Sequence, residues 1–140
     1  MYIIVPLVAW AAAQIFKVLL EIASDNRRGR LTLEDIVASG GMPSSHAAGA
    51  VALLTALGIN EDISSPIFGL GFLVTVLICY DSWGVRRTAG ESAVSIKLLA
   101  DKANLPAARP RIMAKGHTPA EVAGGVIFGF VVGFLLTKVL

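Results

Sequence analysis

The sequence predicts an all-α fold, a polytopic membrane bundle of about four spanning helices with one amphipathic surface helix. Hydrophobic residues make up 55% of its 140 residues and charged residues only 16%. The mean hydropathy of +0.72 lies outside the range typical of soluble domains. At this length we expect a single membrane-embedded domain over residues 1–140.

The spans follow from the apolar runs, taken in chain order. Residues 2–22 supply roughly the 20 positions needed to cross about 30 Å of hydrocarbon. A short helix is predicted at residues 32–37. Residues 44–57 are rich in Ala and Gly and short for a span, which predicts a central helix packed among the others. Residues 66–80 and 118–140 form the remaining spans.

Residues 85–103 place apolar side chains three and four positions apart, with charged side chains on the other faces. This pattern indicates an amphipathic helix at the membrane surface, either separate from the third span or continuous with it. The long loops carry most of the basic residues and the turn at residues 58–65 is acidic. We expect the protein to lie in the cell membrane. The positive-inside rule predicts that its long loops, which carry the candidate site, lie in the cytoplasm.

Composition also excludes several classes of protein. A net charge of +2, with the arginines between apolar stretches, argues against a nucleic-acid partner. The single cysteine, Cys79, permits neither a disulfide framework nor a metal site of the cysteine-spacing type. The first apolar run contains Gln14 and Lys17, so we interpret it as a retained span rather than a cleaved signal sequence.

Residues 40–46 (Gly-Gly-Met-Pro-Ser-Ser-His) outline an anion site at a helix start. The two histidines of the chain, His46 and His117, both fall at predicted helix starts. In a four-span topology these two helices enter the membrane from the same side. Both histidines, with the positive ends of both helix dipoles, are therefore predicted to face one compartment.

Two further groups of side chains each lie on one face of a helix. Gln14, Lys17 and Glu21 lie on one face of the first span, where Lys17 would either extend to the interface or reach a ligand or Glu21. Glu121 follows His117 by four positions, which suits it to orient the imidazole. The same stripe of the last span continues with Gly125, Gly129 and Gly133.

Three interpretations of the histidine pair stay open at this point. It could bind a metal, although no Asp, Glu or Cys spacing completes a tetrahedral set. It could cap helices without any chemistry. The third is histidine catalysis on an anionic substrate, which is favoured because a nucleophile, an orienting carboxylate, a second histidine and several arginines are what phosphoryl transfer needs.

The motifs resemble those of a known superfamily. Residues 43–46 are similar to the P-S-G-H motif of the type 2 phosphatidic acid phosphatases and vanadium haloperoxidases. Residues 116–121 resemble their last motif, an arginine, five residues and then H-x-x-x-D, and Arg111 stands at the matching distance. Together with residues 80–87, the whole chain looks like the small divergent branch of that superfamily.

The resemblance implies a role for each matching residue. His117 would be the nucleophile that forms a phosphohistidine, Glu121 would hold its ring, and His46 would protonate the leaving oxygen. Ser44, the backbone near Ser45, and Arg111 would bind phosphate oxygens. The chain departs from the family pattern by having serine at position 45 in place of glycine and glutamate at position 121 in place of aspartate.

The first motif of the superfamily, K-x6-R-P ahead of P-S-G-H, is absent at that place. We expect Lys17 with Arg86 or Arg87 to substitute for it in space. Lys102 with Arg109-Pro110 fits the spacing but follows in the wrong order.

The predicted function is hydrolysis of a lipid phosphate or diphosphate without metal or other cofactor. A non-enzymatic protein that binds or transports a phospholipid or an anion is the alternative, and a haloperoxidase role fits less well. The superfamily fold has about six helices, so a homodimer could complete the bundle.

Overall fold

A computed structural model describes residues 1–23, 41–105 and 116–140. These residues form five α-helices and no strand: α1 (Ile4–Ala23), α2 (Ser45–Asn60), α3 (Pro66–Trp83), α4 (Val85–Lys102) and α5 (Pro119–Val139). Among them, α1, α5 and the nearly continuous segment Pro66–Lys102 are long and apolar enough to cross a membrane. The predicted all-α membrane fold is confirmed, while the short helix predicted at residues 32–37 lies outside the described residues.

Helix starts follow the capping signals in the sequence. Ser44 caps α2 by accepting a hydrogen bond from the Ala47 N–H at 3.4 Å. Ser65 caps α3 in the same way, and Pro66 occupies its first turn, where a missing N–H costs nothing. The third span was predicted to end at Tyr80, but α3 continues to Trp83 because the helical path breaks only at Gly84.

Helix α2 is the centre of the bundle, as its composition predicts. It packs against α1, α3 and α5, and its alanines are fully buried at positions 47, 48, 52 and 56. Its 16 residues span about 24 Å, short of the roughly 30 Å hydrocarbon thickness. The three neighbouring helices cover most of this short helix.

The closest helix contact joins α2 to α5 through the predicted glycine stripe. A Cβ atom added at Gly129 would lie 2.3 Å from the Ala48 carbonyl oxygen, and one at Gly133 would lie 2.8 Å from the Ala52 Cα. No side chain larger than hydrogen fits at these distances. The stripe brings the two backbones together, as small residues do in membrane helix pairs.

Helix directions alternate, so the ends of α1 and α3 meet the starts of α2 and α5 at one end of the bundle, which we call the site end. Helix α4 leaves the site end directly after Gly84 and makes its main helix contacts with α3. Its Val94, Leu98 and Leu99 side chains are exposed, as expected of an amphipathic surface helix. At the opposite end, the Tyr2 hydroxyl donates to the Glu61 carboxylate.

Candidate functional site

Backbone hydrogen bonds fix three helix ends to one another at the site end. The Ser44 N–H donates to the Glu121 carbonyl at 3.0 Å, and the His117 N–H donates to the Ser82 carbonyl at 3.0 Å. The Ser44 and Ser82 hydroxyl oxygens lie 3.5 Å apart, and both side chains are buried. A Cβ at Gly125 would lie 2.4 Å from the Ser44 carbonyl oxygen, which is too close for any side chain at this position. The start of α2 and the segment before α5 therefore form one rigid unit.

His117 is buried, with 3% of its surface exposed, and a carboxylate orients its ring. Its Nδ1 atom lies 3.3 Å from Glu121 Oε2. The same Oε2 accepts the Thr118 N–H at 2.9 Å, and Thr118 Oγ1 accepts the Glu121 N–H at 3.3 Å, which completes a capping box. A carboxylate at Nδ1 favours the tautomer that carries its proton on that nitrogen.

Burial sets the protonation state of His117. It lowers the pKa of this imidazole below the ordinary value of about 6.5, because a charged ring is poorly solvated there. The Glu121 charge and hydrogen bond, and a hydrogen bond with the Gly41 backbone, act in the opposite direction, and the Lys17 charge adds to the lowering. The net shift is downward, so His117 is neutral at pH 7.

His46 lies at the second position of α2 and is exposed, in contrast to His117. Four charged or titratable side chains are close enough for their charges to act on it: Arg86, His117, Asp81 and Lys17. The two histidines predicted to share one membrane face therefore lie in one cluster. The cluster also contains the basic side chains of Lys17 and Arg86.

Lys17 reaches the histidines from α1. Its side chain is 3% exposed, so it is directed into the protein rather than out to the interface. Gly41 has φ +82°, and a Cβ there would lie 3.3 Å from Lys17 Cδ and 3.3 Å from Glu21 Oε1. A glycine in this left-handed conformation lets the loop before α2 cross directly over the lysine stem. The Lys17 charge acts on both His46 and His117.

The two arginines predicted to assist Lys17 have different surroundings. Arg86 Nε donates to the Asp81 carboxylate, and the Arg86 charge acts on His46. Arg87 pairs with Glu91 at 2.9 Å along α4, and both side chains are exposed. Gly116, at φ +69°, packs against the Arg87 backbone, where an added Cβ would lie 2.3 Å from the Arg87 nitrogen. Arg86 is thus the arginine whose charge acts on His46, while the Arg87 backbone packs against Gly116, next to His117 in the chain.

The remaining predicted phosphate ligands are placed as follows. Ser44 is fully buried and its hydroxyl is used in capping α2, while Ser45 is buried at the first position of that helix. Phosphate binding by these serines stays a prediction. Arg111, with Gly40, Arg109 and Pro110, lies outside the described residues, and Lys102 is exposed at the end of α4.

Comparison with known proteins identifies the family of the chain. Residues 1–132 match the family described as Divergent PAP2. The chain belongs to the Divergent PAP2 family. It is also 34% identical over 142 aligned positions to the uncharacterized membrane protein YuiD of Bacillus subtilis (strain 168), covering 91% of this chain and 85% of that protein. No solved structure matches the chain. The resemblance identified from the motifs is confirmed, and the chain is an integral membrane protein of this family.

Sequence reasoning assigned no role to two residues that the structure brings to the site. Asp81 forms the ion pair with Arg86, and Ser82 joins His117 and Ser44. Both lie in residues 80–87, a stretch that supported the family resemblance. Their place in that stretch was the sequence signal that could have pointed to them. Helical spacing could not reveal the Asp81–Arg86 pair, because its partners are five positions apart and lie on either side of the Gly84 break. In the part of the chain that the structure describes, no group of three His, Cys, Asp or Glu side chains could hold a metal ion.

Proposed function

We propose that this protein is a membrane-embedded phosphatase that hydrolyses a lipid phosphate or diphosphate through a phosphohistidine at His117. The observation that carries the proposal is the buried His117 ring, held at Nδ1 by Glu121 at 3.3 Å and adjoined by His46 and Lys17. Nucleophilic attack requires a neutral imidazole with an unprotonated Nε2, and the Glu121 carboxylate at Nδ1 favours that form.

The reaction has two steps on this geometry. In the first, His117 Nε2 attacks phosphorus, the bond from phosphorus to the leaving oxygen breaks, and protonated His46 gives its proton to that oxygen. In the second, water attacks the phosphohistidine, neutral His46 takes a proton from the water, and the phosphorus–nitrogen bond breaks. Free phosphate leaves, and both histidines return to their starting states.

Fixed positive charge would stabilise the phosphoryl oxygens during both steps. The Lys17 charge acts on both histidines and the Arg86 charge acts on His46, and the starts of α2 and α5 add their dipoles. In this proposal Lys17 and Arg86 replace the missing first family motif. The further predicted phosphate ligands are Ser44, Ser45, Arg87 and Arg111.

The location of the site suggests the substrate class. The site lies at one end of helices that are long and apolar enough to cross a membrane. Such an end would lie near the bilayer surface, so a phosphate carried by a lipid would reach it directly. The whole chain would act as one domain in the cell membrane, and a homodimer could complete the bundle.

The site end would face the cytoplasm. A cysteine introduced at Ser95 on the exposed part of α4, in a Cys79→Ala background, should react with an impermeant thiol reagent only from the cytoplasmic side. A cysteine at Ser64, in the turn before α3, is the matched control and should react only from outside. The reverse pattern would overturn the orientation and leave the grouping of the histidines intact.

The alternative is a protein that binds or transports an anionic phospholipid without hydrolysis. The absence of the first family motif, K-x6-R-P ahead of P-S-G-H, favours it. Under this alternative the histidines and Lys17 form only a binding cradle.

Phosphate release by the purified protein in detergent separates the two functions. Wild-type protein should release phosphate from a panel of lipid phosphates in the presence of EDTA, and vanadate should inhibit it. His117→Ala should lose at least about a thousandfold in rate while its thermal unfolding midpoint stays unchanged. Equal release by wild type and His117→Ala would show that the catalytic assignment is wrong, and binding without release by wild type would favour the alternative.

A further inference from the structure

An open groove lies next to the site, between α2, α3 and α5. Its volume is about 590 Å³, within the roughly 300–1,000 Å³ range of ligand-binding pockets. The described residues that line it include Phe72, Val76 and Trp83 of α3 and Val126 of α5. These four side chains are exposed, so the groove opens towards the surroundings of the bundle, which for α3 and α5 is lipid.

Among the described residues that line the groove, Tyr80 at the site end and Thr75 on the inner wall supply the two hydroxyl groups. The Thr75 hydroxyl donates to the Gly71 carbonyl at 2.8 Å and the Ala50 carbonyl at 3.3 Å, so the inner wall offers nothing to a polar ligand. Cys79, which also lines the groove, behaves as a small apolar side chain. A polar ligand would lose hydrogen bonds to water and gain none here. Hydrocarbon is the chemistry that the wall accepts.

The length of the groove matches one leaflet of a bilayer. Phe72 and Trp83 lie at the two ends of its α3 wall and are eleven positions apart, which corresponds to about 16 Å along a helix. Half of the hydrocarbon thickness of a bilayer is about 15 Å. At the site end, Tyr80 and Trp83 meet edge to face with ring centroids 6.3 Å apart, an aromatic pair of the kind found where hydrocarbon meets headgroups.

One end of the groove lies next to segments that form the site. Trp83 follows Ser82, whose carbonyl accepts the His117 N–H at 3.0 Å. On the other wall, Pro119 lines the groove two positions after His117. A hydrocarbon chain in the groove would therefore carry its headgroup to the cluster that contains His117, His46 and Lys17.

We propose that this groove holds one hydrocarbon chain of a lipid phosphate that enters sideways from the leaflet at the site end. The assignment of that lipid as a substrate rests on the proposed function. Moving a chain from bilayer to groove exchanges one apolar environment for another, so the groove gains little hydrophobic free energy. Its contribution is orientation, because it aligns the phosphate with His117 Nε2 before the reaction.

Two pairs of substitutions, each pair on a single helix, test the groove. Val126→Phe fills it from α5, whereas Val131→Phe adds the same side chain to an exposed position of α5 that does not line it. Val76→Phe and Val74→Phe make the equivalent pair on α3. The quantity to measure is the ratio of kcat/KM for a long-chain lipid phosphate in nanodiscs to kcat/KM for a soluble short-chain phosphate ester. The groove variants should lower this ratio by roughly tenfold or more, and the control variants should leave it unchanged. An equal ratio in all four variants would overturn the proposal.

A binding measurement keeps the groove separate from the proposed function. A lipid phosphate with a photoreactive diazirine on its chain is irradiated with the wild-type protein in phosphatidylcholine nanodiscs containing EDTA. Crosslinks should concentrate at Val76, Cys79 and Val126 over Val74 and Val131, and an unlabelled lipid phosphate should compete for them. Even labelling of both faces would overturn the groove assignment. Groove-specific labelling by a protein that releases no phosphate would support the groove and refute only the phosphatase.

Discussion

The starts of α2 and α5 carry the same elements in sequence, a hydroxyl cap and a histidine, yet the structure gives the two histidines different surroundings. At the start of α5, His117 is buried and Glu121 holds its ring while completing a capping box. At the start of α2, His46 is exposed and accompanied by the charges of Lys17, Asp81 and Arg86. In the proposed mechanism this difference matches a nucleophile that needs a fixed neutral ring at His117 and a group that exchanges protons with the leaving group and water at His46.

The largest expected effect is the loss of activity in the two histidine variants, which should depend on the leaving group of the substrate for one variant and not for the other. His46→Ala should lose about a hundredfold or more on an alkyl phosphate but less than about tenfold on an aryl phosphate, because a phenolate departs without a proton. His117→Ala should lose at least about a thousandfold on both substrates. Unfolding midpoints of both variants provide the control. A His46→Ala loss of equal size on the two substrates would contradict its role as proton donor.

Removing the buried cation should have the next largest effect. Lys17→Met keeps most of the side-chain volume and removes the charge that acts on both histidines, so kcat/KM should fall by roughly ten- to a hundredfold. Lys138→Met is the matched control, because Lys138 is exposed at the other end of α5, over the Phe134 ring. Steady-state kinetics of the two variants make the comparison. A similar loss in both would mean that the position of the charge at the site does not matter.

The contact that joins the two helix starts can be weakened from further along α5. Gly129→Ala places a methyl group against the Ala48 carbonyl and should destabilise the protein by about 1–3 kcal/mol. Gly69→Ala is the control, since a Cβ there meets nothing within 4 Å and alanine favours the helix. Denaturation in detergent measures both. Equal stability of the two variants would show that the α2–α5 contact adjusts without cost.

The smallest expected effect is a shift in pH dependence. In the proposed mechanism the neutral His117 ring is the reactive form, and its pKa lies below about 6.5. On the acid side, kcat/KM should therefore fall as the pH drops through that lowered pKa, while the basic limb reports loss of the His46 proton. Glu121 raises the pKa, so Glu121→Gln should move the acid limb to lower pH while reducing the plateau rate. Glu61→Gln, at the opposite end of the bundle, should leave the limb in place. A shift of the Glu121→Gln limb to higher pH would contradict the assignment of His117.

Local signals in the sequence were sufficient for the elements and for the grouping of the histidines. Hydrophobic length predicted the spans, and the caps at Ser44 and Thr118 predicted two helix starts, because both signals depend on residues close together in the chain. Alternating helix direction then put His46 and His117 at one end. The glycine stripe predicted the tight packing of α5, since an absent side chain permits close approach whatever the partner.

Tertiary structure alone decided which histidine is buried, that Asp81 pairs with Arg86, that Ser82 connects His117 to Ser44, and that a groove lies open beside them. The prediction for Arg111 lies outside the described residues and stays a prediction. Each of these features depends on how far helix ends turn and approach one another across long separations in the chain. Helical periodicity identifies the face on which a residue lies, but packing of the whole bundle determines what that face meets.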